Sequence, residues 1–262
     1  MRREMGARNF STQYLQDPTP PEGNIVRLEW FPRYDEPPPR ERCLKIIQSW
    51  DTAASIAPNS AYSVCTTWGY FEGRWYLLDV LRDRYEYFDL KRVVIRMHRL
   101  WKPDQVLVED ASTGSSLAAE FRAEGAFRVL PWTVSGSKED RLIGQTGQLE
   151  AGKVVLPHEA PWLDVFCREI TAAPNCRYWD QVDSMTQFLD FALSRKGYID
   201  AEYDPKRVES FTSIGPVRRA GDRTSGTREE SWQPWSSRLE RTRQSLGIGL
   251  GEWPIATGWV HR

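Results

Sequence analysis

No stretch of the 262 residues approaches the roughly 20 consecutive apolar residues that a membrane-spanning helix needs. No basic start runs into an apolar segment and a cleavage site, so nothing reads as a secretory signal. The expectation is a cytoplasmic protein. No two of the four cysteines, Cys43, Cys65, Cys167 and Cys176, form a Cys-x-x-Cys pair. That argues against a zinc ribbon and for buried reduced thiols. Strong charge of either sign is also lacking: 35 Lys plus Arg stand against 36 Asp plus Glu, a net charge of −1. Any surface for an anionic polymer must therefore be local and balanced by acids elsewhere. No internal repeat occurs. No Gly-x-x-x-x-Gly-Lys-Ser/Thr loop occurs either; "GQLEAGKVV" lacks that spacing and leads into a strand.

The basic residues that are present are skewed: 28 of the 35 are arginine. The planar guanidinium suits two-pronged phosphate contacts, although GC-rich coding produces the same skew. Residues 1–42 are proline-rich and poorly periodic, and read as an extended leader that hugs a domain surface. Ile25, Val26, Leu28, Trp30 and Phe31 are the residues expected to dock. Residues 43–197 carry all the regular patterning. Residues 198–262, with "RRAGDRTSGTREESWQPWSSRLERTRQS", are polar, Arg-rich and patternless, and read as a disordered tail.

Within the patterned region, "CLKIIQSWDTAAS" and "AYSVCTTWGYF" read as strands, and "RWYLLDVLRD" as a third after a turn at Glu72-Gly73. Leu90, Val93, Val94, Met97, Leu100 and Trp101 then recur at helical spacing until Pro103. "DQVLVED" reads as a strand, "STGSSLAAEFRAEG" as a helix, "FRVLPW" as a strand and 138–151 as a helix. "KVVLP" is a short strand, followed by helices from about 161 and from "RYWDQVDSMTQFLDF". A meander followed by right-handed β-α-β crossovers predicts an α/β fold: a mixed five-stranded sheet flanked by helices, the layout of ribonuclease H-like domains.

Acids are placed where chemistry would need them. Cleavage of a phosphodiester by two hard divalent cations requires several carboxylates drawn from separate elements. Asp51 ends the apolar run "LKIIQSWD", Glu109 ends "VLVE", and Asp180 and Asp183 open the last helix. The first and fourth strands are neighbours in such a sheet, so Asp51 and Glu109 can face one another. Each acid alone has a plainer reading. Asp51 could cap a turn, Glu109 could sit in a loop before a helix, and Asp180 and Asp183 could serve an N-terminus or a solvated face. Asp79, inside "YLLDVL", is expected to pair with an arginine rather than a metal. His158 sits in the surface loop "LPHEAPW", an unpromising place for a general base.

With those residues in view, the chain resembles the nuclease domain of bacteriophage large terminase subunits. The resemblance rests on "SWDTA", "YSVCTTWGYFEGRWYLLDVLRDRYEY", "VLVEDASTGSSL", "SKEDR", "LEAGKVVLPHEAPWLDVF" and "DQVDSM", in order across about residues 44–193. It implies a ribonuclease H-like fold and a Mg²⁺- or Mn²⁺-dependent endonuclease holding two ions that cuts concatemeric viral DNA during genome packaging. It implies Asp51, Glu109 and Asp180 or Asp183 as metal ligands, and Lys138 and Arg141 as phosphate contacts. Double-stranded DNA, an ATPase motor subunit, a portal and a small terminase subunit are the implied partners. Trp179 stands where the family often has the first of two paired acids. With no motor loop, the expectation is a chain unable to translocate DNA unaided: a split-gene product, a prophage remnant or an isolated domain. Two rival readings are a catalytically degenerate module that docks on packaging partners and another ribonuclease H-like nuclease, such as a resolvase or transposase core.

Overall fold

The computed structural model describes residues 24–57 and 59–193. Along them run β1 (Arg33–Tyr34), β2 (Lys45–Asp51), β3 (Ser63–Phe71), β4 (Arg74–Asp83), α1 (Tyr87–Trp101), β5 (Gln105–Glu109), α2 (Ser112–Glu124), β6 (Val129–Trp132), α3 (Lys138–Glu150), β7 (Val154–Pro157), α4 (Leu163–Ala172) and α5 (Asp180–Leu193). Residues 1–23 of the leader and everything from 194 onward, including the expected tail, lie outside the described residues. No helix among those described is long and apolar enough to cross a membrane.

The strands form one sheet in the order β1-β7-β4-β3-β2-β5-β6. The β2–β3–β4 meander is antiparallel, while β5 and β6 add in parallel beside β2. The β3–β4 turn puts Glu72 and Gly73 at φ 47° and 77°, the paired left-handed geometry that suits a two-residue hairpin. The α/β class holds, but the sheet is two strands wider than the five expected. β7 pairs parallel with β4 through Trp75–Val154 and Tyr76–Val155, and β1 pairs parallel with β7. An uncovered β4 edge would leave a row of backbone groups unpaired, and these short strands cover it. β1 has only two residues, too few to show any alternation in sequence.

Alternate residues of β2 feed two cores. Ile46 and Trp50 pack with Leu90, Met97 and Phe121 of α1 and α2. Ile47 packs with Trp68, Leu107, Phe166, Met185 and Phe188 on the face that carries α3, α4 and α5. Val26 and Phe31 of the leader are buried in this second core. Phe188 anchors α5 by stacking flat on Trp68, with centroids 4.4 Å apart, and meeting Trp75 edge-on. All four cysteines are free thiols, three of them buried and Cys176 partly so.

α5 departs from its sequence pattern. Its polar residues suggest a solvated side, yet Asp180, Gln181, Asp183, Ser184 and Gln187 are all buried. They lie against the polar end of the sheet. Ser184 donates to the Ser49 carbonyl at 2.9 Å and shares a hydrogen bond with Thr66, and Gln187 Nε2 donates to Ser49 Oγ at 2.9 Å. Burying polar groups is tolerable only when they are paired in this way.

Candidate metal centre

In β2 and β5, Trp50 lies beside Val108 in parallel register. Those two side chains enter the α1–α2 core. The next residue of each strand therefore points to the opposite face, which sets Asp51 and Glu109 side by side beneath α5. α2 then leaves β5 at very close range. A β-carbon on Gly114 would lie 2.2 Å from the Glu109 carbonyl oxygen and 2.6 Å from Val108 Cγ2. Gly114→Ala is thus expected to lower stability by about 1–3 kcal/mol through overpacking and to displace Glu109. A thermal melt checks it, and an unchanged melting temperature would mean that α2 can retreat at no cost.

α5 brings the other two acids. Asp180 Oδ2 accepts the Tyr62 backbone N–H at 2.9 Å. Asp183 Oδ1 accepts from Arg141 at 2.5 Å, and its Oδ2 is held by Lys138. Arg141 also lies 3.7 Å from Glu109. α3 supplies both cations from its first turn, whose start is fixed by a capping box between Ser137 and Asp140. Trp179 is packed, partly buried, against the core, and its carbonyl receives the Asp183 N–H at 2.7 Å. At the position of the missing acid it thus supplies packing and the first turn of the helix.

The electrostatics show that these acids form one cluster. Burial, then the carboxylates of Asp183, Glu109 and Asp180, hold Asp51 well above the usual carboxylate range, with Lys138 pulling the other way. Burial also raises Asp180, opposed by the Tyr62 N–H, Arg82 and Lys138. Burial disfavours the charge on Lys138, but Asp183, Asp51 and Asp180 outweigh it and raise its pKa. The Asp51 carboxylate accepts no hydrogen bond among the described residues.

Does this donor set suit divalent cations? Among the described residues no three such side chains form a ready-made cage, and Asp183 is turned to Lys138 and Arg141. The chemistry nevertheless fits Mg²⁺ or Mn²⁺: four carboxylates, one of them, Asp51, partly buried and accepting no hydrogen bond among the described residues, where an uncompensated charge is costly.

Asp79 lies elsewhere. An extra residue in β4, opposite the Thr67–Trp68 step, turns it to the other face, where it accepts from the Trp101 indole at 3.2 Å. His158 is exposed beyond β7. Sequence reasoning overlooked Glu169, which is buried and accepts both the backbone and side-chain N–H of Gln181 at 2.6 Å, fixing the start of α5. The signal was an acid within the apolar stripe Phe166–Ile170 of α4.

A mixed sheet with acids converging on two adjacent strand ends and a capping helix defines a ribonuclease H-like domain. The model of the terminase RNaseH-like domain family matches residues 48–190, and the chain belongs to that family. No curated protein matches the chain. Among solved structures, the large terminase of a thermophilic bacteriophage in complex with ADP is similar at 14% identity and TM-score 0.50, over 64% of this chain and 44% of that one. The chain thus spans less than half the length of that protein. The large terminase nuclease of thermophilic phage G20c matches at 14% identity and TM-score 0.47, over 63% of this chain and 97% of that one. The Thermus phage P74-26 large terminase nuclease domain matches at 15% and 0.46, over 62% and 92%. At such identities the likeness concerns the fold.

Proposed function

We propose that the chain is the DNA endonuclease domain of a phage large terminase, working with two divalent cations and cutting concatemeric viral DNA during packaging. The observation that carries this reading is the partly buried Asp51 carboxylate, which accepts no hydrogen bond among the described residues and has the carboxylates of Asp183, Glu109 and Asp180 as charged neighbours. Asp51, Glu109 and Asp183 would hold Mg²⁺ or Mn²⁺, with Asp180 adding a donor through the oxygen that Tyr62 leaves unused. Such a pair, when bound, activates a water nucleophile and compensates charge at the leaving 3′ oxygen of a phosphodiester.

The chain's own residues do the positioning. Gly114 lets α2 seat the end of β5, so Glu109 stays level with Asp51. Glu169 and Tyr62 fix the first turn of α5. Lys138, half-exposed at the rim, is placed to meet a backbone phosphate. Arg141, nearly buried, orients Asp183 and Glu109. Phosphate contacts of this kind position DNA without reading its sequence. The substrate is double-stranded DNA in the bacterial cytoplasm, and an ATPase motor, a portal and a small terminase subunit are the partners this role requires.

The test is nicking of supercoiled plasmid. Cutting is expected with Mn²⁺ or Mg²⁺ and not with excess chelator. Undiminished cutting by the Asp51→Ala, Glu109→Ala double variant would overturn the assignment. The grip of Lys138 and Arg141 on Asp183 favours one rival, a degenerate docking module. Calorimetric titration separates the two, since such a module would bind no Mn²⁺ at these acids.

A further inference from the structure

Beside the acids lies a group of side chains that the reading above does not use. The Tyr62 ring is sandwiched between two guanidiniums, Arg82 at 3.5 Å and Arg84 at 3.8 Å from its centroid. Tyr178 meets Tyr62 edge-on at 5.2 Å, and Arg177 lies 5.0 Å over Tyr178. Arg84 is steadied by the Ser60 carbonyl at 3.0 Å and the Tyr178 hydroxyl, and Arg177 by Asn59 at 2.9 Å. Carboxylate compensation is sparse. Glu169 lies 3.7 Å from Arg82 Nε, while Arg84 and Arg177 form no ion pair among the described residues.

Three guanidiniums are gathered around two rings, and among the described residues only Arg82 has a carboxylate, Glu169, within ion-pair distance. Rings and neutral oxygens hold Arg84 and Arg177 in place but form no ion pair with them among the described residues, which is how a protein prepares a place for an anion. Its position identifies the anion. Asp51 pairs with Val64, and Val64 with Arg82, directly across the sheet. Arg82 is therefore two strand spacings, about 10 Å, from Asp51 and on the same face. Tyr62 is also tied directly to Asp180. A distance of about 10 Å corresponds to about three nucleotides along a duplex axis.

We propose that Arg84 and Arg177, braced by Tyr62 and Tyr178, form a docking site for the phosphate backbone of the DNA strand to one side of the cut. This rests on the nuclease reading and adds where the strand is gripped. Arg82, within ion-pair distance of Glu169, is a positioning residue that holds the stack.

The test measures binding of the full chain to a blunt DNA duplex, with chelator present so that nothing is cut, across a salt series. Relative to wild type, the Arg84→Gln, Arg177→Gln double variant is expected to bind about tenfold more weakly or worse. Its salt slope should shrink by about 2. Its melting temperature and calorimetric Mn²⁺ affinity should be unchanged. An Arg122→Gln, Arg128→Gln control, at the opposite end of β5 and β6, should bind like wild type. If the double variant matches wild type in affinity and slope, or the control weakens equally, the docking site is overturned while the nuclease reading stands. If wild type itself shows no salt-sensitive DNA binding, both fall.

Discussion

Replacing Asp51 by asparagine is expected to abolish metal-dependent DNA cutting and, at the same time, to make the metal-free protein more stable. Loss of activity follows from its place at the centre of the four acids. The gain in stability follows from the same place. Burial and three neighbouring carboxylates hold its pKa above the ordinary range, so in the folded chain its charge is a liability. The sign is that of an acid with a raised folded-state pKa. The penalty is absent at pH values below the unfolded pKa, and it develops as pH rises through the folded one. At neutral pH, removing the charge should return about 1–3 kcal/mol, a rise of several degrees at about 2–4 °C per kcal/mol. The second readout is Mn²⁺. Wild type should gain about 2.7 kcal/mol at a free ion concentration a hundred times its dissociation constant, and Asp51→Asn should gain far less. Thermal melts with chelator and with Mn²⁺ check both. A variant that melts lower in chelator would mean that the carboxylate has a structural partner.

The opposite sign is expected on the cationic side. Asp183 is only 5% exposed, and both its oxygens are engaged by Lys138 and Arg141. Replacing both cations by methionine keeps much of their packing but strands a buried carboxylate. The expected loss is about 3–5 kcal/mol, a fall in melting temperature on the order of 10 °C. Two further measurements tie the loss to Asp183. Adding Asp183→Asn should restore most of the stability, since stranded charge and missing partner then disappear together. Adding Mn²⁺ should restore part of it without that substitution, because a cation again answers the acids. If neither recovers stability, the two residues act through the packing of α3 rather than through charge.

Both predictions concern a proposed site whose acids were legible in the sequence but whose internal arrangement was not. Asp51 and Glu109 stood out as acids closing apolar strands, and Asp180 and Asp183 as acids opening a helix. What the sequence left open was which oxygens are already engaged. Asp180 and Asp183 are three residues apart on one turn, and no pattern distinguishes them. Folding does, because the backbone N–H of Tyr62 arrives at one and the first turn of α3 at the other. Asp79 shows the reverse. Its place in an apolar strand suggested an arginine partner rather than a metal, and one extra residue in β4 turns it away from the four acids to the far face, where it accepts from the Trp101 indole.

The sequence by itself determined the elements, because their signals are local. Period-two alternation marks β3, apolar spacing at three and four marks α1, and Pro103 and Gly125 close their helices. It also determined the class of fold, since a meander followed by crossovers leaves few arrangements. Only the tertiary structure decided the width of the sheet, because β1 is held by pairing with β7 and carries no periodic signal of its own. The burial of the polar side of α5 was likewise beyond the sequence, since Ser184 and Gln187 become core residues only once Ser49 and Thr66 are brought opposite them. The ring of arginines around Tyr62 and Tyr178 arises the same way, from residues more than a hundred positions apart. Through-space charge and pairing depend on distances that no local pattern encodes.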